Sequence, residues 1–128
     1  MRIRVTEVFG DDQEKARAFY TDVLGLQVKD DASYSDAVRW LTVVSPEDPD
    51  GTQLLLSPVN DVAAALQRAR GETGAPALSF GTADCHGAYR ELSDRGAVFV
   101  SEPTEMGYGG TDAVLKDGCG NLLNIHQD

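Results

Sequence analysis

Two ionisable side chains stand where alternating sequence would ordinarily place apolar ones. In Ile3-Arg4-Val5-Thr6-Glu7-Val8-Phe9, residues Ile3, Val5, Glu7 and Phe9 share one face of a strand, so Glu7 brings a carboxylate onto a face that its neighbours make apolar. His126 does the same in Leu122-Leu123-Asn124-Ile125-His126, sharing parity with Leu122 and Asn124. A carboxylate turned inward is costly unless it is paired. Glu7 and His126 could form a proton-transfer dyad or receive a cationic ligand group. The plainer alternative is that His126 frays into water and Glu7 bonds a backbone amide or a cross-strand arginine.

Trp40, the single tryptophan, lies in Val38-Arg39-Trp40-Leu41-Thr42-Val43-Val44, a strand apolar on both faces. On a cavity wall it would offer a stacking surface to a planar ligand, and under a helix it would be core. The glycine-rich stretch from Glu102 to Thr111 carries Met106 and Tyr108 at its middle, which suits either a flap with two adaptable contacts or an ordinary wide connection. It lacks the Gly-Lys-Ser/Thr end of a phosphate loop. Cys85-His86 at a helix start could favour a thiolate, but adjacent helical residues project about 100° apart and that helix belongs outside the expected cavity. Cys85 and Cys119 are too few for a disulfide framework and are read as free thiols.

The elements that would position these residues repeat. A strand over 3–9 leads to a helix over about 12–24, with Asp11 and Glu14 resembling a capping box, apolar positions Ala16, Phe19, Tyr20, Val23 and Leu24 in one stripe, and Gly25 as its stop. Strands follow at 26–28, 38–44 and 53–57, with turns around Asp30-Asp31 and from Pro46 to Gly51. After a short helix at 61–70, the order returns: strand 77–82, helix 84–95 stopped by Gly96, and strands 97–100, 112–115 and 122–126. Val5 precedes Asp12 by as many positions as Ala77 precedes Asp84. The expected fold class is α+β: two βαβββ modules, 1–58 and 76–128, joined by a linker over 59–75 within one domain. Their curved mixed sheets would surround a cavity, with the helices outside.

The chain has 128 residues, 41% of them hydrophobic, and 11 Lys and Arg against 21 Asp and Glu give a net charge of −10. No basic footprint is available for nucleic acid or an anionic membrane, and no apolar run approaches a membrane span. The acid runs Asp11-Asp12, Asp30-Asp31 and Glu47-Asp48-x-Asp50 read as solvated loops without calcium-loop spacing. The opening Met1-Arg2-Ile3-Arg4 leads into alternating sequence rather than a signal-peptide core, so a cytoplasmic location is expected.

Phe19-Tyr20-Thr21-Asp22-Val23-Leu24-Gly25-Leu26 with Asp12 ahead of it, Leu92-x-x-x-Gly96-Ala97-Val98-Phe99, and Asp117-Gly118-Cys119-Gly120-Asn121-Leu122 resemble the vicinal oxygen chelate superfamily, the glyoxalase, bleomycin resistance protein and dihydroxybiphenyl dioxygenase group. The resemblance implies a scaffold shared by lyases, epimerases, dioxygenases, thiol transferases and drug-binding proteins. In its metalloenzymes the ion is held by His or Glu from the first and last strands of each module. The matching positions here are Val5, Leu55, Ala77 and Asn124, or, shifted by two, Glu7, Ser57, Ser79 and His126. Neither set offers three charged or imidazole ligands.

The expectation is therefore a small-molecule-binding protein with no metal and no cofactor. It would take a partly aromatic or cationic ligand on Glu7, Trp40, Met106, Tyr108, Asn124 and His126. The alternatives are a metal-dependent lyase or dioxygenase and a metal-free proton-transfer enzyme using Glu7 and His126. Exposed module edges predict a homodimer, as in relatives.

Overall fold

The computed structural model describes all 128 residues. Eight strands form two four-stranded sheets of identical plan. Strand β1 (Val5–Gly10) pairs parallel with β4 (Gln53–Pro58), which is followed outward by β3 (Val38–Val44) and β2 (Gln27–Ser35), both antiparallel to their neighbours. The second module repeats this with β5 (Leu78–Gly81), β8 (Leu122–Gln127), β7 (Thr111–Lys116) and β6 (Val98–Glu105). The α+β fold and the repeat are thus as the sequence implies, and the two sheets do not close on one another.

Helices α1 (Gln13–Ala18) and α3 (Cys85–Asp94) cover one face of their sheets, and α2 (Asp61–Thr73) occupies the connection. Burial alternates along β4 and β8, while in β3 the run Leu41–Val44 is buried on both faces. Val8, Leu41, Val43, Leu54 and Leu56 join Ala16 and Tyr20 in the core, and Ala113, Leu115, Leu123 and Ile125 join Cys85 and Leu92 in the same cluster. The helix-covered sides of the two modules therefore share one core. The residues between them in sequence, Glu7, Trp40, Leu55, Asn124 and His126 among them, stand on the opposite, open faces.

Several boundaries differ from expectation. The helix over 12–24 is α-helical only to Ala18 and continues as a π-helical turn, Phe19–Val23, closed by Leu24 N–H donating to the Phe19 carbonyl at 3.1 Å. Its cap is Asp12 rather than Asp11. The Asp12 carboxylate accepts from the amides of Glu14 (2.8 Å) and Lys15 (3.1 Å), while Asp11 is taken by the Lys15 ammonium at 2.9 Å. Asp30 and Asp31 lie within β2 rather than in a turn, because Arg39 and Arg17 on neighbouring elements bind the Asp31 carboxylate at 2.9 and 3.0 Å. The chain reverses instead at Asp36-Ala37, between β2 and β3. The expected flap shortens to the turn Met106–Gly110, since β6 runs on to Glu105.

One buried polar cluster joins the modules. Asp117, 1% exposed, accepts from the Cys119 and Asn121 amides at 2.7 and 3.0 Å, from Asn121 Nδ2 at 2.7 Å and from the Tyr20 hydroxyl at 2.8 Å. Four donors offset the cost of burying that carboxylate. Asn121 Nδ2 also donates to the Phe9 carbonyl at 2.7 Å, which ties the turn after β7 to the end of β1.

Candidate functional site

The open face of the second sheet gathers the richest set of polar groups. Its register places Asp112 beside His126, Val114 beside Asn124 and Ser79 beside Asn124, so strand pairing alone sets Asp112, Asn124, His126 and Ser79 on one surface. His126 Nδ1 lies 2.6 Å from the Asp112 carboxylate and Nε2 lies 3.1 Å from that of Asp128. The Tyr108 hydroxyl donates to the other oxygen of Asp112, with its ring 6.5 Å from the His126 imidazole. Tyr108 reaches there because Gly109 and Gly110 turn the chain at φ of 101° and 79°, left-handed backbone that glycine adopts without strain.

Asn124 Nδ2 donates to Ser79 Oγ at 3.2 Å, whereas its Oδ1 is buried with no donor. A desolvated acceptor without a partner attracts a hydrogen-bond donor. The neighbouring charges are poised to match. The Asp112 and Asp128 carboxylates raise the pKa of His126 above its usual range. Burial pushes the Asp112 carboxyl up, but hydrogen bonds from Tyr108, His126 and Asn124 outweigh it and hold the group below the ordinary carboxylate range.

On the open face of the first sheet, Glu7 sits beside Leu55 in register, and its carboxylate accepts from the Ser57 hydroxyl at 2.5 Å. Trp40 belongs to this face too. Its neighbours Leu41 and Val43 enter the core, so Trp40, half-buried and in register with Ala32, is not covered by the helix. Met106 is half-buried at the turn that carries Tyr108.

The structure thus brings Tyr108, Asn124 and His126 together and adds Asp112, which sequence reasoning missed. It pairs Glu7 with Ser57, and His126 with Asp112 and Asp128, rather than Glu7 with His126. Glu7 lines a small cavity with Phe9, Gln67, Arg70 and Ala77, while His126 lines another with Glu47, Asp84 and Asp128. Cys85 is buried, its thiol lies 3.7 Å from the Ile125 carbonyl, and burial raises its pKa, so it carries no activated thiolate. Both cysteines are free.

No group of three or more His, Cys, Asp or Glu is arranged to hold a metal ion. Register sets Glu7 beside Leu55 and Ser79 beside Asn124, while Val5 pairs with Gln53 and Ala77 packs against the core. One carboxylate with a hydroxyl, an amide and a leucine does not fit a divalent ion.

A model of the Glyoxalase/Bleomycin resistance protein/Dioxygenase superfamily matches residues 2–125. The Uncharacterized protein YurT of Bacillus subtilis (strain 168) is 45% identical over 128 residues, 99% of each chain. The crystal structure of UcmS2 superimposes with a TM-score of 0.83 at 26% identity, covering 98% of this chain and 97% of that one. TnmS3, an antibiotic binding protein from Streptomyces sp. CB03234, gives a TM-score of 0.79 at 24% identity, covering 99% and 95%. No helix here is long and apolar enough to cross a membrane.

Proposed function

The chain belongs to the glyoxalase/bleomycin resistance protein/dioxygenase superfamily, and on that premise we propose that it is a metal-free small-molecule-binding protein that sequesters a partly aromatic or cationic compound on the open faces of its sheets. The observation that carries this reading is the orphaned Oδ1 of Asn124, set among Tyr108, Asp112 and His126 on a face with no metal-ligand set. Such an acceptor favours an ammonium, amide or phenol donor over an anion. Trp40 supplies a flat apolar surface and Glu7 a second carboxylate. TnmS3, which shares the fold, is an antibiotic binding protein, a precedent for this use of the scaffold.

A homodimer that lays the open face of one chain's first sheet against the second sheet of another would bring Glu7 and Trp40 into one cavity with Asn124, His126, Met106 and Tyr108. In a thermal-shift screen of aromatic amines and antibiotics, a specific binder raises the melting temperature in proportion to the logarithm of its concentration. Asn124→Leu and Glu7→Gln should each weaken a cationic binder, the latter by about 1 to 3 kcal/mol, the scale of a charge-assisted hydrogen bond. Affinity unmoved in both variants and in Trp40→Ala would refute the reading.

A second reading is favoured by the 2.6 Å contact between His126 and Asp112, which orients the imidazole and favours its protonated form, as in a proton-transfer residue. It requires turnover of a bound compound that His126→Gln abolishes without loss of binding.

A further inference from the structure

The shared core is packed unequally at its two ends. Counting from the N-cap aspartates Asp12 and Asp84, Ala88 takes the place of Ala16 and Leu92 that of Tyr20, and Ser45 follows β3 as Asp117 follows β7. At one end Tyr20 reaches Asp117 with its hydroxyl, and the two side chains are 0% and 1% exposed. A built Cβ at Gly10 would stand only 3.1 Å from Cys119 Cβ and 3.9 Å from Ala16 Cβ, so that end is filled. At the other end a leucine faces a serine. That end opens on a cleft of about 430 Å³ between the modules, with Leu24, Leu26, Phe80, Leu92 and Ile125 on its apolar side and Ser45, Glu47 and Thr82 on its polar side. A second hollow of about 230 Å³ adjoins it across Leu26, Ser45 and Phe80.

The mouth of the cavity is charged on one side only in effect. The Arg95 guanidinium is occupied, donating to the Val23 carbonyl at 3.0 Å and to the Glu91 carboxylate. Glu47, on the loop after β3, has no hydrogen-bonded or ionic partner and also faces the adjoining hollow of Asp84, His126 and Asp128. A cleft of this size, with an apolar wall on one side and polar groups on the other, has the dimensions of a small-molecule site and suits an amphiphile.

We infer that this cleft on the helix-covered side is a second binding site for a small amphiphile with an aryl or alkyl body and a terminal ammonium, its apolar wall distinct from the open faces although Glu47 also borders the hollow beside His126. The body lies on Phe80, Leu24 and Leu92. The ammonium meets Glu47, whose carboxylate is free to accept it.

The test uses 4-phenylbutylamine and its neutral counterpart 4-phenylbutan-1-ol as probes, followed by protein NMR with assigned methyl and amide signals. The amine should give saturable shifts at Leu24, Leu92 and Ile125 below about 10 mM. Glu47→Gln should weaken the amine about tenfold and leave the alcohol unchanged, the loss of one charge-assisted contact. Leu92→Tyr, which puts a ring across the apolar wall of the cleft, should weaken both probes at least about tenfold. Ser45→Leu narrows the cleft from an exposed loop position and gives the same readout where the core variant does not fold. No saturable shift, shifts confined to Trp40 and Asn124, or affinities unmoved by the filling variants would overturn the inference. The last two outcomes leave the open-face reading intact.

Discussion

At the scale of single residues, two carboxylates do different work. Asp117 is sealed and satisfied by four donors, so removing one partner leaves a buried charge short of a hydrogen bond. Tyr20→Phe should cost about 1.5 to 3 kcal/mol in urea unfolding, the range for a hydrogen bond to a charged group. Asp117→Ala strands four donors at once and should cost more than about 3 kcal/mol. Asp112 instead serves the open face. Because it and Asp128 raise the pKa of His126, the folded state holds that proton more tightly than the unfolded chain. The stabilisation is complete below the unfolded value of about 6.5 and is lost as pH rises through the folded pKa. Asp112 is depressed, so its own contribution is present above its unfolded value and is lost as pH falls through its folded pKa. An NMR titration should find the His126 pKa falling in Asp112→Asn, and an unchanged midpoint would remove Asp112 as the cause.

At the scale of elements, the two N-caps are the plainest test of what each helix owes to its first residue. Asp12→Ala and Asp84→Ala remove side-chain acceptors from Glu14 and Lys15 in α1 and from Gly87 in α3. Each should lower stability by about 1 kcal/mol in denaturant titration, and no loss would mean that water replaces the cap fully. Gly110→Ala should displace the Met106–Gly110 turn, since its Cβ would overlap the Gln127 carbonyl oxygen and stand 2.7 Å from the His126 ring. The expected readout is a lowered His126 pKa as Asp112 loses its alignment.

The repeat itself was readable, because caps, apolar stripes and stop glycines are local signals that recur in order. Which of Asp11 and Asp12 caps α1 was not, since either carboxylate suits and the extended backbone at Asp12, φ −150° and ψ 120°, decides it. Asp30-Asp31 looked like a turn because acidic pairs disfavour strands. Arg17 and Arg39, brought in by the fold, reverse that preference. Parity was enough to find Glu7, Asn124 and His126 on open faces. It could not find Asp112, because the register that sets it beside His126 is a property of two paired strands and not of either alone.

At the scale of the whole molecule, a single chain leaves a surface that water covers poorly. Strands β2 and β6 end their sheets with unpaired edges, and Val98 and Val100 on β6 are 59% and 51% exposed. Ile3 before β1, Tyr34 and Val38 at the β2–β3 hairpin, and Tyr108 beside the polar site are exposed as well. Scattered apolar residues need no explanation, but these flank open sheet faces whose proposed ligand-binding residues lie in separate halves. A homodimer would cover the edges and face the halves together, provided it buries about 1,200 Å² or more. Light scattering at micromolar concentration should then give twice 13.7 kDa. Replacing Val98 and Val100 together by lysine should shift the mass toward the monomer, since charge on an edge strand blocks pairing. Because both side chains already face solvent within one chain, the intrinsic fold should survive, with an unchanged far-ultraviolet circular dichroism spectrum. Binding to the open faces should fall with the dimer while binding in the inter-module cleft persists. A wild-type mass of 13.7 kDa with full ligand affinity would show instead that one chain's open face suffices.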